Sequence, residues 1–435
     1  MSVTAIAARW VLPVEPDLAL LAEHTVLVSE GRIGAILPTR EARARLPDAE
    51  WVQLPDHLVM PGLINLHTHA AMTLLRGLAD DLPLMDWLKS HIWPAEIAHA
   101  SDQFVEDGTL IACAEMIRGG ITCFNDMYYF PEAAARAALE AGMRAAVGII
   151  VIDFPTAYAS DPHDYLARGL AVRDTLKEEH LLAFCMAPHA PYTVSDRSLA
   201  QVLTLAEQLD VPIHLHLHET DDEIAQDRSR HGLRPLRRLQ ALGMLSPNLI
   251  AVHAIHVDDT EIELLAAHGC QVAHCPSSNL KLASGFAPVA RYLDAGVNVG
   301  LGTDGAASNN RLDLFEEMRL AALLAKAVSN RPEVLPAHTA VRMATLNGAA
   351  ALGLERRIGS LLPGKEADLV AVNLSTLSMS PCFDPVSHLV YCASRQDVTD
   401  VWISGRRVLE SGRLTTLNEP ELLARALRWQ KRLKE

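Results

Sequence analysis

Pro61-Gly62-Leu63-Ile64-Asn65-Leu66-His67-Thr68-His69 closes an apolar run that begins at Val59 and gives way to a polar turn. Side chains two apart along a strand point to one face, so His67 and His69 can grip one ion from a single strand end. Two further stretches have the same form: His214-Leu215-His216-Leu217-His218-Glu219 and Gly302-Thr303-Asp304-Gly305, each set where an apolar strand-like run meets a polar turn. Imidazoles plus one carboxylate suit zinc, or a similar divalent metal, with a position left open for water. The pattern points to a hydrolytic metalloenzyme.

Outward from Val59, strand, turn and helix alternate. Apolar runs over 59–66, 121–125, 144–152, 181–187, 212–218, 249–256, 271–275 and 297–302 read as strands. Helical patterns fall between them over 107–118, 131–141, 165–178, 198–209, 236–242, 260–268 and 289–295. Eight strands alternating with helices predict an α/β fold with a parallel sheet closed into a (β/α)8 TIM barrel, a unit of about 250 residues. An open doubly wound sheet is the competing architecture, but no Gly-x-Gly-x-x-Gly follows the first strand, so dinucleotide binding has no support.

The flanks have a different texture. Residues 25–28 and 33–37 flank the turn Ser29-Glu30-Gly31-Arg32, which predicts a hairpin. Beyond Gly353, β patterns return over 367–372, 398–403 and 407–410, and 418–434 reads as a terminal helix. The simplest arrangement folds 1–58 with 356–435 into one small β-sandwich and inserts a barrel of 59–355 between them.

The chain has 435 residues, 49% hydrophobic and 21% charged, as expected of a globular protein large enough for a barrel and an accessory unit. Net charge is −15 with no basic run, which argues against nucleic acid or anionic membrane as the main partner. Seven cysteines with no Cys-x-x-Cys pair make neither a disulfide framework nor a thiolate zinc site. Met1-Ser2-Val3-Thr4-Ala5 has no basic segment leading into an apolar core, and no apolar run is long enough to cross a bilayer. The expectation is a cytoplasmic protein with a small-molecule substrate. A monomer and a homo-oligomer are both compatible with the sequence.

Most of the nineteen histidines sit in polar loops or helix flanks, among them His24, His57, His163, His180, His231 and His338. On the fifth strand, His214, His216 and His218 share one face, and spacing alone does not choose among them. His216 is favoured because Glu219 then follows three residues later, at the start of the turn, where a carboxylate can approach metal-bound water or substrate. His214 and His218 are expected to be buried packing or supporting groups. His253 and His256 pose the same problem on the next strand. Glycines beside Asp304 permit close backbone approach and a sharp turn.

Taken together, these segments resemble the amidohydrolase superfamily. Within it they are most similar to the metal-dependent deaminases acting on 5-methylthioadenosine and S-adenosylhomocysteine. The resemblance is carried by residues 61–69, Met72-Thr73-Leu74-Leu75-Arg76-Gly77, Trp93-Pro94-Ala95-Glu96, Ala187-Pro188-His189-Ala190-Pro191-Tyr192, 216–219, Cys275-Pro276-Ser277-Ser278-Asn279 and 302–305. The tail adds Gly359-Ser360-Leu361 and Pro363-Gly364-Lys365-Glu366-Ala367-Asp368.

The resemblance implies that His67, His69, His216 and Asp304 hold one zinc ion per subunit, another divalent metal being compatible. Related hydrolases bridge two metals with a modified lysine. No lysine lies in the strands before His216, since Lys177 falls in a helix, so one metal is expected. It further implies that His253 and Asp304 orient the attacking water, that Asp304 passes its proton to the departing amine, and that Glu219 protonates a ring nitrogen. Glu96 is expected to accept hydrogen bonds from both ribose hydroxyls, with His189 near the ribose and its 5′ substituent. Leu82, Leu84, Met85, Trp87 and Trp93 read as an apolar lid.

One departure concerns the substrate. Relatives that process S-adenosylhomocysteine are expected to hold its carboxylate with an arginine after the third strand. Here that stretch, 147–155, has none, and Arg168 and Arg173 come later in a helix. A buried unpaired carboxylate is costly. The expected substrate is therefore methylthioadenosine or adenosine before the charged conjugate. A free nucleobase such as guanine, a triazine, and a catalytically inactive scaffold are the competing readings. The absence of His-x-Glu with Pro-Cys-x-x-Cys argues against the cytidine-deaminase architecture.

Overall fold

The computed structural model describes residues 3–17 and 19–434; Met1 and Ser2 of the N-terminal stretch read above lie outside the described residues. Eight parallel strands run Leu63–Thr68, Ile121–Asp126, Arg144–Val151, Leu182–Pro188, Ile213–Leu217, Leu249–His253, Gln271–His274 and Asn298–Leu301. They are hydrogen-bonded in sequence order, the arrangement of a (β/α)8 barrel. Both strand faces are buried, which is why the runs are continuously apolar rather than alternating.

The barrel closes where its first and last strands meet. Thr303 N donates to Asn65 Oδ1 at 2.9 Å, and Asn65 Nδ2 donates to Thr303 Oγ1 at 2.7 Å. Asp304 N donates to His67 O at 3.0 Å. Glycine is required at this seam. A Cβ on Gly300 would sit 2.7 Å from a Leu66 methyl, and one on Gly302 would sit 2.8 Å from His67 Cβ.

The outer helices start and stop on local signals. Asp102–Arg118 is capped by Ser101, whose side chain accepts from Phe104 N, and Pro131–Ala141 ends at left-handed Gly142. Helices Leu314–Ser329, Ala337–Met343 and Leu346–Ala351 follow the last barrel strand.

The run 59–66, read above as one strand, is two. Glu50–Pro61 belongs to a second sheet, and the chain changes sheets at Gly62. The reason is local: a Cβ there would lie 2.2 Å from the Thr122 side chain, Gly62 N donates to Asp368 O, and Leu63 N already donates to Gly120 O in the barrel.

That second sheet takes its eight strands from both chain ends, with Val3–Val11 and Glu50–Pro61 central and Leu369–Asn373 antiparallel to the latter. The two layers expected of a sandwich form one continuous ladder. Its far edge, Arg32–Pro38, returns to the segment before Leu369 through the bonds Ile33 N to Lys365 O and Gly364 N to Ile33 O. Ile6, Val28, Ile33, Val59, Leu369 and Trp402 share the core so enclosed. Val370, Val372 and Val401 join the barrel-side core. Buried Arg144 ties the two sheets together, reaching Glu366 at 2.5 Å and Asp368 at 3.0 Å.

Candidate active site

All four residues read as metal ligands meet at the C-terminal mouth of the barrel. One ligand atom from each of His67, His69, His216 and Asp304 lies within 4.8 Å of the others. The outer nitrogen of each imidazole is engaged. His69 Nδ1 faces Met127 O at 2.6 Å, His216 Nδ1 faces His189 O at 2.7 Å, and His67 Nδ1 meets His214 Nε2 at 2.9 Å. Each ring therefore turns Nε2 inward, the tautomer that a metal ligand needs.

Buried His67 Nε2 has no hydrogen-bond partner among the described residues, although Asp304 Oδ1 is 3.2 Å away. An orphaned inward nitrogen beside two like it and a carboxylate fits a divalent cation with nitrogen and oxygen donors. Burial pushes His67 down to about 4, and holds His214 and His216 well below the usual histidine range. Lowering of this kind favours the neutral form of His67 and His216, as ligation requires.

Burial alone would raise Asp304, but the neighbouring His67 and His69 rings hold its carboxyl well below the usual range. Its Oδ1 also accepts from Gly305 N at 2.7 Å, and its Oδ2 from Ser278 Oγ at 2.6 Å. His253 Nε2 lies 3.9 Å from Asp304 Oδ2 and 3.8 Å from Glu219 Oε2. Its Nδ1 meets Asn279 Oδ1 at 2.8 Å, so Nε2 faces the site as an acceptor.

His256, left open above, sits at the rim between Asp221 and Ser284 O. His218 is engaged at both nitrogens, by His256 O and Leu236 N. Of the three histidines on the fifth strand, only His216 enters the cluster.

A cleft of about 670 Å³ opens over these groups, lined among others by His189, His216, Glu219, His253 and Asp304. Glu96 enters from the helix Trp93–His99, and Leu84, Trp87 and Trp93 line the cleft as the apolar lid reading expected. Leu82 and Met85 pack behind them. Ile150 and Ile152 form the wall at the end of the third strand, and neither lysine nor arginine lines the cleft among the described residues.

Three contacts here were not read from the sequence. Tyr128 OH donates to Glu96 Oε1 at 2.7 Å, Ser278 holds Asp304, and Asn279 holds His253. Burial raises Glu96 to about 7 against the pull of the Tyr128 hydrogen bond, and burial also raises Glu219. His189 is lowered by burial to about 3.

Comparison with known proteins agrees with this geometry. The model of the amidohydrolase family matches residues 58–408. A 5-methylthioadenosine/S-adenosylhomocysteine deaminase from Saccharophagus degradans is 47% identical over 425 residues, covering 98% of this chain and 95% of its own length. A 5'-deoxyadenosine deaminase from Methanothermobacter thermautotrophicus is 45% identical over 409 residues, 93% of each chain. The crystal structure of an adenosine deaminase from Xanthomonas campestris with bound zinc has a TM-score of 0.98 at 50% identity, covering 99% of this chain and 98% of that one.

Proposed function

The chain belongs to the amidohydrolase family, and from that membership we propose that it is a zinc-dependent hydrolytic deaminase of an adenine nucleoside with an uncharged 5′ group, methylthioadenosine first and adenosine next. The observation that carries this reading is one cleft shared by the His67, His69, His216 and Asp304 cluster, by Glu219, and by Glu96 some way along the same wall.

His67, His69, His216 and Asp304 would hold one zinc ion. When bound, it supplies Lewis acidity that makes water available as a nucleophile near pH 7. The chain's own groups do the rest. His253 Nε2 and Asp304 accept hydrogen bonds from the attacking water and orient it toward carbon 6 of the purine. Asp304 takes the water's proton and returns it to the departing amine.

Glu219, protonated more readily than an ordinary carboxyl because it is buried, donates to a ring nitrogen and makes carbon 6 electrophilic. Loss of ammonia leaves the keto purine as the remaining hydroxyl proton passes by way of His253 to the Glu219 carboxylate, which restores the proton that Glu219 gave to the ring. General acid–base groups of this kind contribute typically ~100- to 10,000-fold. Glu96 accepts from the ribose hydroxyls, with His189 beside the ribose.

The apolar wall of Ile150, Ile152 and Trp93 offers no cation to a 5′ carboxylate, which disfavours S-adenosylhomocysteine. Residues 59–355 would form the catalytic unit, with 1–58 and 356–435 as the accessory one, whose strand Glu50–Pro61 carries residues 59–61 in its sheet. All seven cysteines are free, in keeping with a reducing cytoplasmic setting. Among the described residues no helix is long and apolar enough to cross a membrane.

The test is ammonia release by zinc-loaded protein from methylthioadenosine, adenosine, S-adenosylhomocysteine, adenine and guanine. Turnover of the nucleosides, with methylthioadenosine fastest and the free bases inert, is the expected result. Preference for a free base would overturn the proposal.

A further inference from the structure

His216 and Glu219 both line the cleft, although residues three apart on an extended strand face opposite sides. The chain must therefore turn between them. It does so at His218, which has a φ of 55°, a left-handed conformation that L-residues adopt only when their surroundings hold them there. The backbone amides of His218 and Glu219 donate to no backbone carbonyl among the described residues, and one buried side chain satisfies both. Glu223 Oε1 accepts from His218 N at 3.0 Å, and Glu223 Oε2 accepts from Glu219 N at 2.8 Å.

Glu223 is the third residue of the helix Asp221–His231, whose cap Thr220 accepts from Glu223 N. A glutamate in that position ordinarily reaches back to the cap residue's own amide. Here it reaches one and two residues further. Glu223 is 2% exposed, and among the described residues no lysine or arginine pairs with it. A buried carboxylate without a cation is costly unless hydrogen bonds compensate, and the two amides are the compensation this site provides.

We propose that Glu223 is the positioning residue of the reaction: it fixes the left-handed turn that swings Glu219 onto the metal-ligand face of the strand. Glu223 touches neither the metal cluster nor the cleft, so it acts through Glu219. The inference rests on the reading of Glu219 as proton donor given above. Glutamine at 223 keeps the shape but must present its NH2 group to one of two N–H donors, so the turn loses one hold.

The experiment compares zinc-loaded wild type, E219Q, E223Q and the double variant E219Q/E223Q, with zinc content, kcat and KM measured for each. E223Q should retain zinc, keep KM within about threefold and lose roughly 10- to 100-fold in kcat, the usual effect of removing a support one step behind a functional group. Because Glu223 acts through Glu219, the double variant should turn over no more slowly than E219Q, within about twofold.

Wild-type kcat in E223Q beside an impaired E219Q, or losses that multiply in the double variant, would overturn the positioning role. A fully active E219Q would instead overturn the proton-donor reading. Should E223Q not fold, E223D, whose shorter arm cannot reach both amides, carries the same comparison with the same expected kcat loss and the same absence of additivity.

Discussion

The Tyr128 hydroxyl donates a 2.7 Å hydrogen bond to Glu96 Oε1 in the wall of the cleft, with both side chains buried. That bond favours the carboxylate form, and burial opposes it, leaving Glu96 at about 7. A carboxylate can accept from two ribose hydroxyls, whereas the protonated acid cannot do so fully. KM for nucleosides should therefore fall as pH rises through 7. Tyr128→Phe removes the lowering influence and should move that transition to higher pH. Steady-state KM from pH 5.5 to 9 checks both.

The same group bears on stability. Glu96 binds its proton more tightly folded than unfolded, so its contribution weakens stability as pH rises from 4.5 and levels off above about 7. Glu96→Gln removes the buried charge and still accepts from Tyr128. It should melt higher than wild type at pH 8, by at most ~3 kcal/mol, with the difference vanishing near pH 4.5. Denaturation curves at the two pH values test this, and nucleoside KM should rise in the same variant.

Removal of a ligand should separate metal from fold. His67→Ala and Asp304→Asn should each lose bound zinc and turnover together, since each leaves too few donors. Metal analysis on purified protein reads this directly. Chelated wild type should melt lower and recover on adding zinc, because a ligand that binds only the folded state stabilises it.

Substrate preference should follow the third-strand wall. Ile152 lines the cleft on the wall proposed above to face the 5′ substituent, and among the described residues neither lysine nor arginine lines that cleft. Ile152→Arg should raise kcat/KM for S-adenosylhomocysteine relative to methylthioadenosine by about tenfold or more, by pairing a carboxylate otherwise buried alone. A ratio that does not move would place the 5′ group elsewhere.

Ser278 donates to the Asp304 oxygen that faces His253. A hydrogen bond to the charged form lowers proton affinity, so Ser278→Ala should raise that of Asp304. The acid limb of kcat/KM should shift to higher pH while zinc stays bound. A pH–rate profile against wild type is the measurement.

Much of this centre was readable because its ligands end apolar strands, where periodicity places side chains reliably. Position on the fifth strand was harder: His214, His216 and His218 share a face, and they are separated only by the contact of His214 Nε2 with His67 Nδ1 and by the left-handed backbone at His218 with its bonds to His256 O and Leu236 N. Tyr128, Ser278 and Asn279 escaped because each meets its partner across separate elements, and nothing in a local pattern encodes such a meeting. Ser278 and Asn279 did lie in a segment quoted for its resemblance, with no role attached. The sheet change at Gly62 was hidden because apolar residues continue across it, Met60 buried on one side and Leu63 on the other. Helices after Asp304 went unassigned, since no strand rhythm framed them.

Asn65 and Thr303 are 238 positions apart in the chain, yet they clasp each other beside two of the ligands. During synthesis the first imidazole pair leaves the ribosome long before Asp304 exists. The four-donor cradle is complete only when the last strand docks, so full ligation requires a shut cylinder. A nascent or truncated chain lacking that strand would hold its histidines without their carboxylate, one donor short of the full set.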